Sequence, residues 1–169
     1  MDIDVRSSVS GAPSARATEN LLRRIAKETN GGRPRNRRPA SELSVLICGD
    51  ERMRALNRRY RGKDRSTDVL AFPGEGAALG DIVISLPYAA REARRRGEGR
   101  TREFGRLLLH GYLHLLGYDH EVDEGQMDRL EARLRRRLGL SCPDDLQASR
   151  TLRLAGEKRA ARRGRGKRR

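Results

Sequence analysis

The run FGRLLLHGYLHLLGYDH, residues 104 to 120, limits the fold more than any other part of the chain. On a helix, Phe104, Leu107, Leu108, Leu109, Leu113, Leu115 and Leu116 point in nearly every direction. A helix that is apolar all round has no face to give to water, so this one belongs at the centre of a domain. The same run holds every histidine of the chain, His110, His114 and His120. Imidazoles set among leucines are costly unless their nitrogens find partners, so the cluster asks for a chemical explanation.

His110 and His114 are four residues apart, which on a helix puts them on nearly the same face, one turn from each other. That is the geometry of a two-histidine chelate. Gly117 can end the helix in a left-handed conformation, and the chain would then turn through Tyr118 and Asp119 to bring His120 to the same point. Three neutral imidazoles suit Zn²⁺ and leave a fourth position open, as in catalytic zinc sites; other imidazole-binding metals also fit. The plain alternative, three structurally satisfied histidines, requires all three to cluster by chance. The spacing matches the metzincin peptidase signature H-E-x-x-H-x-x-G-x-x-H with one departure. Gly111 stands where those enzymes carry the glutamate that deprotonates water. Peptide or ester hydrolysis is therefore disfavoured, and any general base must come from elsewhere.

Around this helix the pattern predicts a single α+β domain. Ile3 and Val5 alternate as in a short strand. Leu21, Leu22, Ile25 and Ala26 fall at helical spacing, with Asn30-Gly31-Gly32 as a stop. A basic, proline-containing loop follows over residues 31 to 41, then LSVLIC, Leu43 to Cys48, as an interior strand. Asp50 is placed to cap a helix with Met53, Leu56 and Tyr60 on its apolar face. Val69 to Phe72 and Asp81 to Ser85 read as two more strands. Pro87 opens a helix ending near Gly97, Thr101 is placed to cap the central helix, and Met127, Leu130, Leu134 and Leu138 define a last helix stopped at Gly139. The expectation is a small mixed sheet of about four strands packed by helices and a metzincin-like three-histidine helix-turn site. The domain covers residues 1–140, and residues 141–169 form a basic, disordered extension.

Charge bears on the partner. The chain carries +15, and +9 of it comes from residue 150 onward, where ten Lys/Arg face one acid, Glu157. Such a balance suits a polyanion, although a solvated basic tail in an arginine-rich chain would look the same. If the tail does bind RNA, removing residues 141–169 weakens a salt-sensitive affinity. Two cysteines, Cys48 and Cys142, make no disulfide framework, and Cys48 reads as a small buried hydrophobe. Neither a signal peptide nor an apolar run of membrane-spanning length is found, so a soluble, cytoplasmic protein with no membrane partner is expected.

Three stretches, HGYLHLLGYDH, LNRRYRGKDRSTDVLAFP (Leu56 to Pro73) and LGDIVIS, occur in an order that resembles the YbeY family of bacterial metallo-endoribonucleases. The resemblance covers roughly residues 1 to 140. It departs at Ala71, where serine is the commoner residue, and it leaves out the tail. It implies a single-strand-specific endoribonuclease acting in 16S rRNA 3′-end maturation and ribosome quality control. Its partners would be small-subunit rRNA and ribosome-associated proteins. It implies one zinc per chain, on His110, His114 and His120, and a functional arginine in YRGKD, assigned to Arg61.

The residues can also be read for that chemistry directly. A guanidinium suits bidentate contact with a phosphate, though Arg61 could equally be one more surface arginine. Asp68 and Asp119 could orient a histidine ring, or serve only as turn carboxylates. Lys63 and Arg65 could contact RNA backbone or line a solvated loop. Tyr112 and Tyr118 could stack on bases or simply pack, and too few aromatics are present to derive a single-strand preference. The rival reading is a non-catalytic, zinc-stabilised RNA-binding ribosome-assembly factor.

Overall fold

The computed structural model describes residues 1–29, 42–119 and 125–141. Its elements run β1 (Asp2–Ser7), α1 (Ala15–Glu28), β2 (Glu42–Cys48), α2 (Asp50–Arg61), β3 (Val69–Pro73), β4 (Ala78–Ser85), α3 (Leu86–Arg95), α4 (Arg100–Leu115) and α5 (Gln126–Leu138). The strands form one mixed sheet in the order β1-β2-β4-β3. β1, β2 and β4 are parallel, and β3 runs antiparallel along β4 as an edge. This is the α+β domain with a four-stranded mixed sheet that the pattern called for.

Strand alternation explains the layering. Leu43, Val45, Ile47, Ile82 and Ile84 join a large core with residues of α1, α4 and α5. The intervening side chains, Leu46, Cys48, Leu70 and Val83, meet Met53 and Leu56 of α2 on the other face. β2 and β4 are interior strands, apolar on both faces, as the LSVLIC run suggests. α4 touches β3, β4, α1, α3 and α5. Leu108, Leu109 and Leu113 are completely buried, so the all-round apolar helix does sit at the centre. Cys48 is buried as expected, and burial pushes its thiol pKa up.

Both proposed side-chain caps are replaced by other arrangements. α2 begins at Asp50 itself, with Gly49 as the cap residue and no side-chain cap bond. The Asp50 carboxylate instead accepts from Ser85 Oγ at 2.6 Å, Arg91 at 2.6 Å and Ser66 Oγ at 3.1 Å. Burial works against its charge, but these hydrogen bonds and the Arg91 charge outweigh it and hold the carboxyl below its ordinary pKa. α4 likewise starts at Arg100 after Gly99, so Thr101 lies inside the helix and does not cap it. On α2, Tyr60 is exposed although it shares the register of Met53 and Leu56. Asn57 is buried in its place and donates its amide to the Arg65 carbonyl at 2.8 Å.

α1 closes at Thr29, whose hydroxyl donates to the Ile25 and Ala26 carbonyls, both at 3.0 Å. The proposed Asn30-Gly31-Gly32 stop, the basic loop after it, His120 and the tail from residue 142 lie outside the described residues. No helix among the described residues is long and apolar enough to cross a membrane.

Candidate active site

α4 approaches the sheet closely because it presents no side chain at Gly111. A Cβ there would lie 2.9 Å from Ile82 Cγ2 and 3.4 Å from Val69 Cγ2. The glycine therefore has a packing reason that a peptidase-like glutamate could not satisfy. With residue 111 against β3 and β4, His110 and His114 fall on the flank of the helix that faces a cleft of about 640 Å³.

The two imidazoles meet through their Nε2 atoms, 3.0 Å apart, with ring planes at 80°. On the far side of the His110 ring, Nδ1 faces Glu131 Oε2 of α5 at 3.0 Å. An ionised carboxylate can only accept, so Nδ1 carries the proton and the Nε2 lone pair points toward His114. Glu131 is almost fully buried and is also gripped by Arg135 one turn on. Burial alone would raise its pKa, but the His110 hydrogen bond and the Arg135 charge prevail and hold it below the usual carboxylate range.

This donor set suits zinc. Two imidazole nitrogens at about 2.05 Å from a tetrahedral ion would be about 3.3 Å apart, within a few tenths of an ångström of what is found here. A carboxylate on the rear nitrogen of a ligating histidine is the usual orienting partner in such sites. Among the described residues, no group of three His, Cys, Asp or Glu forms a metal-holding cluster. The third expected ligand, His120, lies outside them.

The helix ends as the turn reading requires. Gly117 has φ +87°, its N–H donates to the His114 carbonyl at 2.9 Å, and Tyr118 N–H donates to the Leu113 carbonyl at 3.1 Å. This paired closure ends the helix after Leu115, with Leu116 as its cap residue.

The remaining described candidates converge on the same cleft. Arg61, Lys63, Arg65, Asp68 and Asp119 all line it with His110 and His114. Asp68 accepts from Val69 N–H at 2.8 Å and Thr67 Oγ1 at 3.0 Å, so it anchors the start of β3. Tyr112 is a core residue, 1% exposed, and has no face for a base; Tyr118 is partly buried at the cleft.

The cations in the cleft fall into two sets. Arg96, Arg106 and Arg135 are matched by Glu103, Glu98 and Glu131. Arg61, Lys63 and Arg65 have no carboxylate partner among the described residues, while neighbouring Asp64 is taken by Arg54 in a bidentate pair at 2.7 and 2.8 Å. Buried Glu103 sits between Arg96 and Arg106, and desolvation still raises its pKa.

Sequence reasoning missed Glu131 and Glu103, although a signal existed for each: a carboxylate in the buried register of an otherwise apolar helix face. If Glu131 orients His110, Glu131→Gln keeps the fold and weakens zinc retention by roughly 10- to 100-fold in chelator competition. Unchanged zinc affinity would return the contact to a merely structural role.

The family model described as Endoribonuclease YbeY matches residues 4–139. An endoribonuclease YbeY of Solibacter usitatus is 48% identical over 124 residues, 73% of this chain and 79% of that protein. One from an Anaeromyxobacter species is 54% identical over 110 residues, 61% of this chain and a little over half, 57%, of its own length. A Thermotoga maritima protein of known solution structure superposes with a TM-score of 0.58 at 25% identity, covering 81% of this chain and 89% of that one. The chain belongs to the endoribonuclease YbeY family.

Proposed function

We propose that this protein is a zinc-dependent endoribonuclease that cuts single-stranded RNA. The observation that carries the reading is one cleft with the converging Nε2 atoms of His110 and His114 on one wall and, on another, the cations Arg61, Lys63 and Arg65, unmatched among the described residues. Its relatives are named endoribonucleases, which supports the RNA-cleaving part of this reading. The family resemblance extends the proposal to maturation of the 16S rRNA 3′ end and to ribosome quality control.

His110 and His114 would hold the ion together with His120. Bound there, zinc supplies Lewis acidity toward a phosphate oxygen and toward water. Glu131 keeps the His110 ring in the tautomer that leaves Nε2 available. Arg61 offers a planar pair of donors that can take two oxygens of one phosphate and meet the charge that grows on them during cleavage. Lys63 and Arg65 extend the positive wall along the strand. Residue 111 cannot contribute a base, because it is glycine and even a Cβ there would meet Ile82 Cγ2 at 2.9 Å.

The test is cleavage of a single-stranded oligonucleotide by highly purified protein with zinc, beside a variant lacking all three histidines from the same preparation. Equal cleavage by both would identify a contaminating nuclease and favour the assembly-factor reading. Arg61→Ala is expected to retain zinc and lose roughly 10- to 100-fold in cleavage rate, the scale of a lost charged hydrogen bond. Replacing both Lys63 and Arg65 with alanine should flatten the logarithmic dependence of RNA affinity on salt by about 0.7 for each phosphate no longer neutralised. An unchanged slope would leave both residues as solvated loop positions.

A further inference from the structure

Six aromatic residues occur in the chain, and five of them are wholly or partly buried. Tyr60 is the exception, with 56% of its surface in water. It is the aromatic residue of α2, one position before the helix ends, and no further element among the described residues covers it. Its ring meets Phe72 of β3 at a centroid distance of 5.0 Å and an interplanar angle of 61°. The Arg59 guanidinium lies 5.3 Å from its ring centroid.

The position of this pair gives it meaning. Tyr60 immediately precedes Arg61, and Phe72 lies between Ala71 and Pro73; Arg61, Ala71 and Pro73 all line the cleft. Alternation along β3 turns Phe72 to the α2 side, where it packs beside Met53 and Leu56. The Tyr60–Phe72 pair therefore lies over the rim of the edge strand from the cleft. A strand held at its phosphates by Arg61 would pass this rim on leaving the cleft across β3. Single-stranded RNA is recognised through unstacked bases laid on aromatic rings or guanidinium planes, and here both surfaces stand together. A duplex keeps its base faces covered and cannot use them.

We propose that Tyr60, braced by Phe72 and flanked by Arg59, is a stacking subsite for one unpaired nucleobase of the RNA strand leaving the cleft across β3. The subsite rests on the ribonuclease reading and supplies its single-strand preference from residues of this chain. The ring face carries the contact; the hydroxyl is dispensable.

The test uses the full-length, zinc-loaded chain and a single-stranded oligonucleotide, together with a set of the same oligonucleotides bearing one abasic position each. Tyr60→Ala is expected to impair cleavage by roughly 5- to 100-fold, with the loss falling on KM and not on kcat. Tyr60→Phe should rescue the loss. Tyr60→Leu, which keeps an apolar contact for Phe72 but has no ring, should not. In the wild type one abasic position should cost as much as Tyr60→Ala, and in Tyr60→Ala that position should cost nothing further. Recovery of KM by leucine would make the contact simple packing and overturn the subsite. The same abasic penalties in wild type and variant would also overturn it, with the ribonuclease reading intact. A wild-type chain that neither binds nor cleaves the RNA would overturn that reading and the subsite together.

Discussion

The His114→Ala variant is expected to purify as a folded protein without stoichiometric zinc and with RNA cleavage reduced by more than about 100-fold, beyond the usual effect of losing a residue that only orients a ligand. Metal analysis and oligonucleotide cleavage on one preparation read both losses. Alanine at 114 suits the interior of α4 and removes a side chain on the cleft flank, so the melting transition should survive. The change takes away one of two Nε2 atoms that stand 3.0 Å apart. The His110 ring, still held by Glu131, would then aim its lone pair at a site missing half of the described donors. Retention of one zinc per chain would contradict the ligand assignment. Loss of zinc with cleavage preserved would show that the cleavage does not depend on this metal site and would overturn the zinc-dependent reading.

Gly111→Glu, which would complete the peptidase signature, should destabilise the chain by at least about 4 kcal/mol and confer no peptidase activity, a loss close to the whole stability of many domains. The first side-chain carbon would already meet Ile82 Cγ2 at 2.9 Å, and Ile82 is completely buried and branched at Cβ, so it cannot swing aside. The rest of the glutamate would have to be fitted between α4 and the edge of the sheet, where Val69 Cγ2 already lies 3.4 Å from the Cβ position. Chemical denaturation checks the effect, and a variant as stable as the wild type would show that α4 can lift from the sheet at little cost. Gly111→Ala separates the two contributions. Helix propensity favours alanine by about 1 kcal/mol, and overpacking by one carbon typically costs about 1–3 kcal/mol, so a modest net loss is expected.

Features that depend on nearby residues were legible in the sequence. The apolar circumference of α4 predicted its central place, the four-residue spacing predicted the facing histidines, and Gly117 predicted the left-handed turn. The continuous apolar run of β2 identified an interior strand. Features that depend on how elements cross were not legible. The apolar register of α5 was plain, and Glu131 stood beside it, but only the packing of α5 on α4 shows that its partner is a histidine 21 residues earlier. Gly111 read as a missing base, whereas its neighbours show a helix pressed on a sheet. Asp50 had the form of a cap, but three donors from more distant segments claimed its carboxylate. Tyr60 had the register of a core residue and lost its cover because the helix stops there.

The loop from Gly62 to Asp68, which leads into β3, is fastened at several points. Asn57 holds the Arg65 carbonyl, Ser66 reaches Asp50, Arg54 clasps Asp64, and Lys63 N–H donates to the Asn57 carbonyl. None of these ties uses the charged head of Arg61, Lys63 or Arg65. The backbone beneath the cations is thus ordered when the domain folds, before any polyanion arrives. Its conformational entropy has already been surrendered and does not weigh against association, which leaves only the side-chain rotamers to settle. A wall built this way favours rapid capture with little rearrangement, and its grip should vary with ionic strength far more than with temperature.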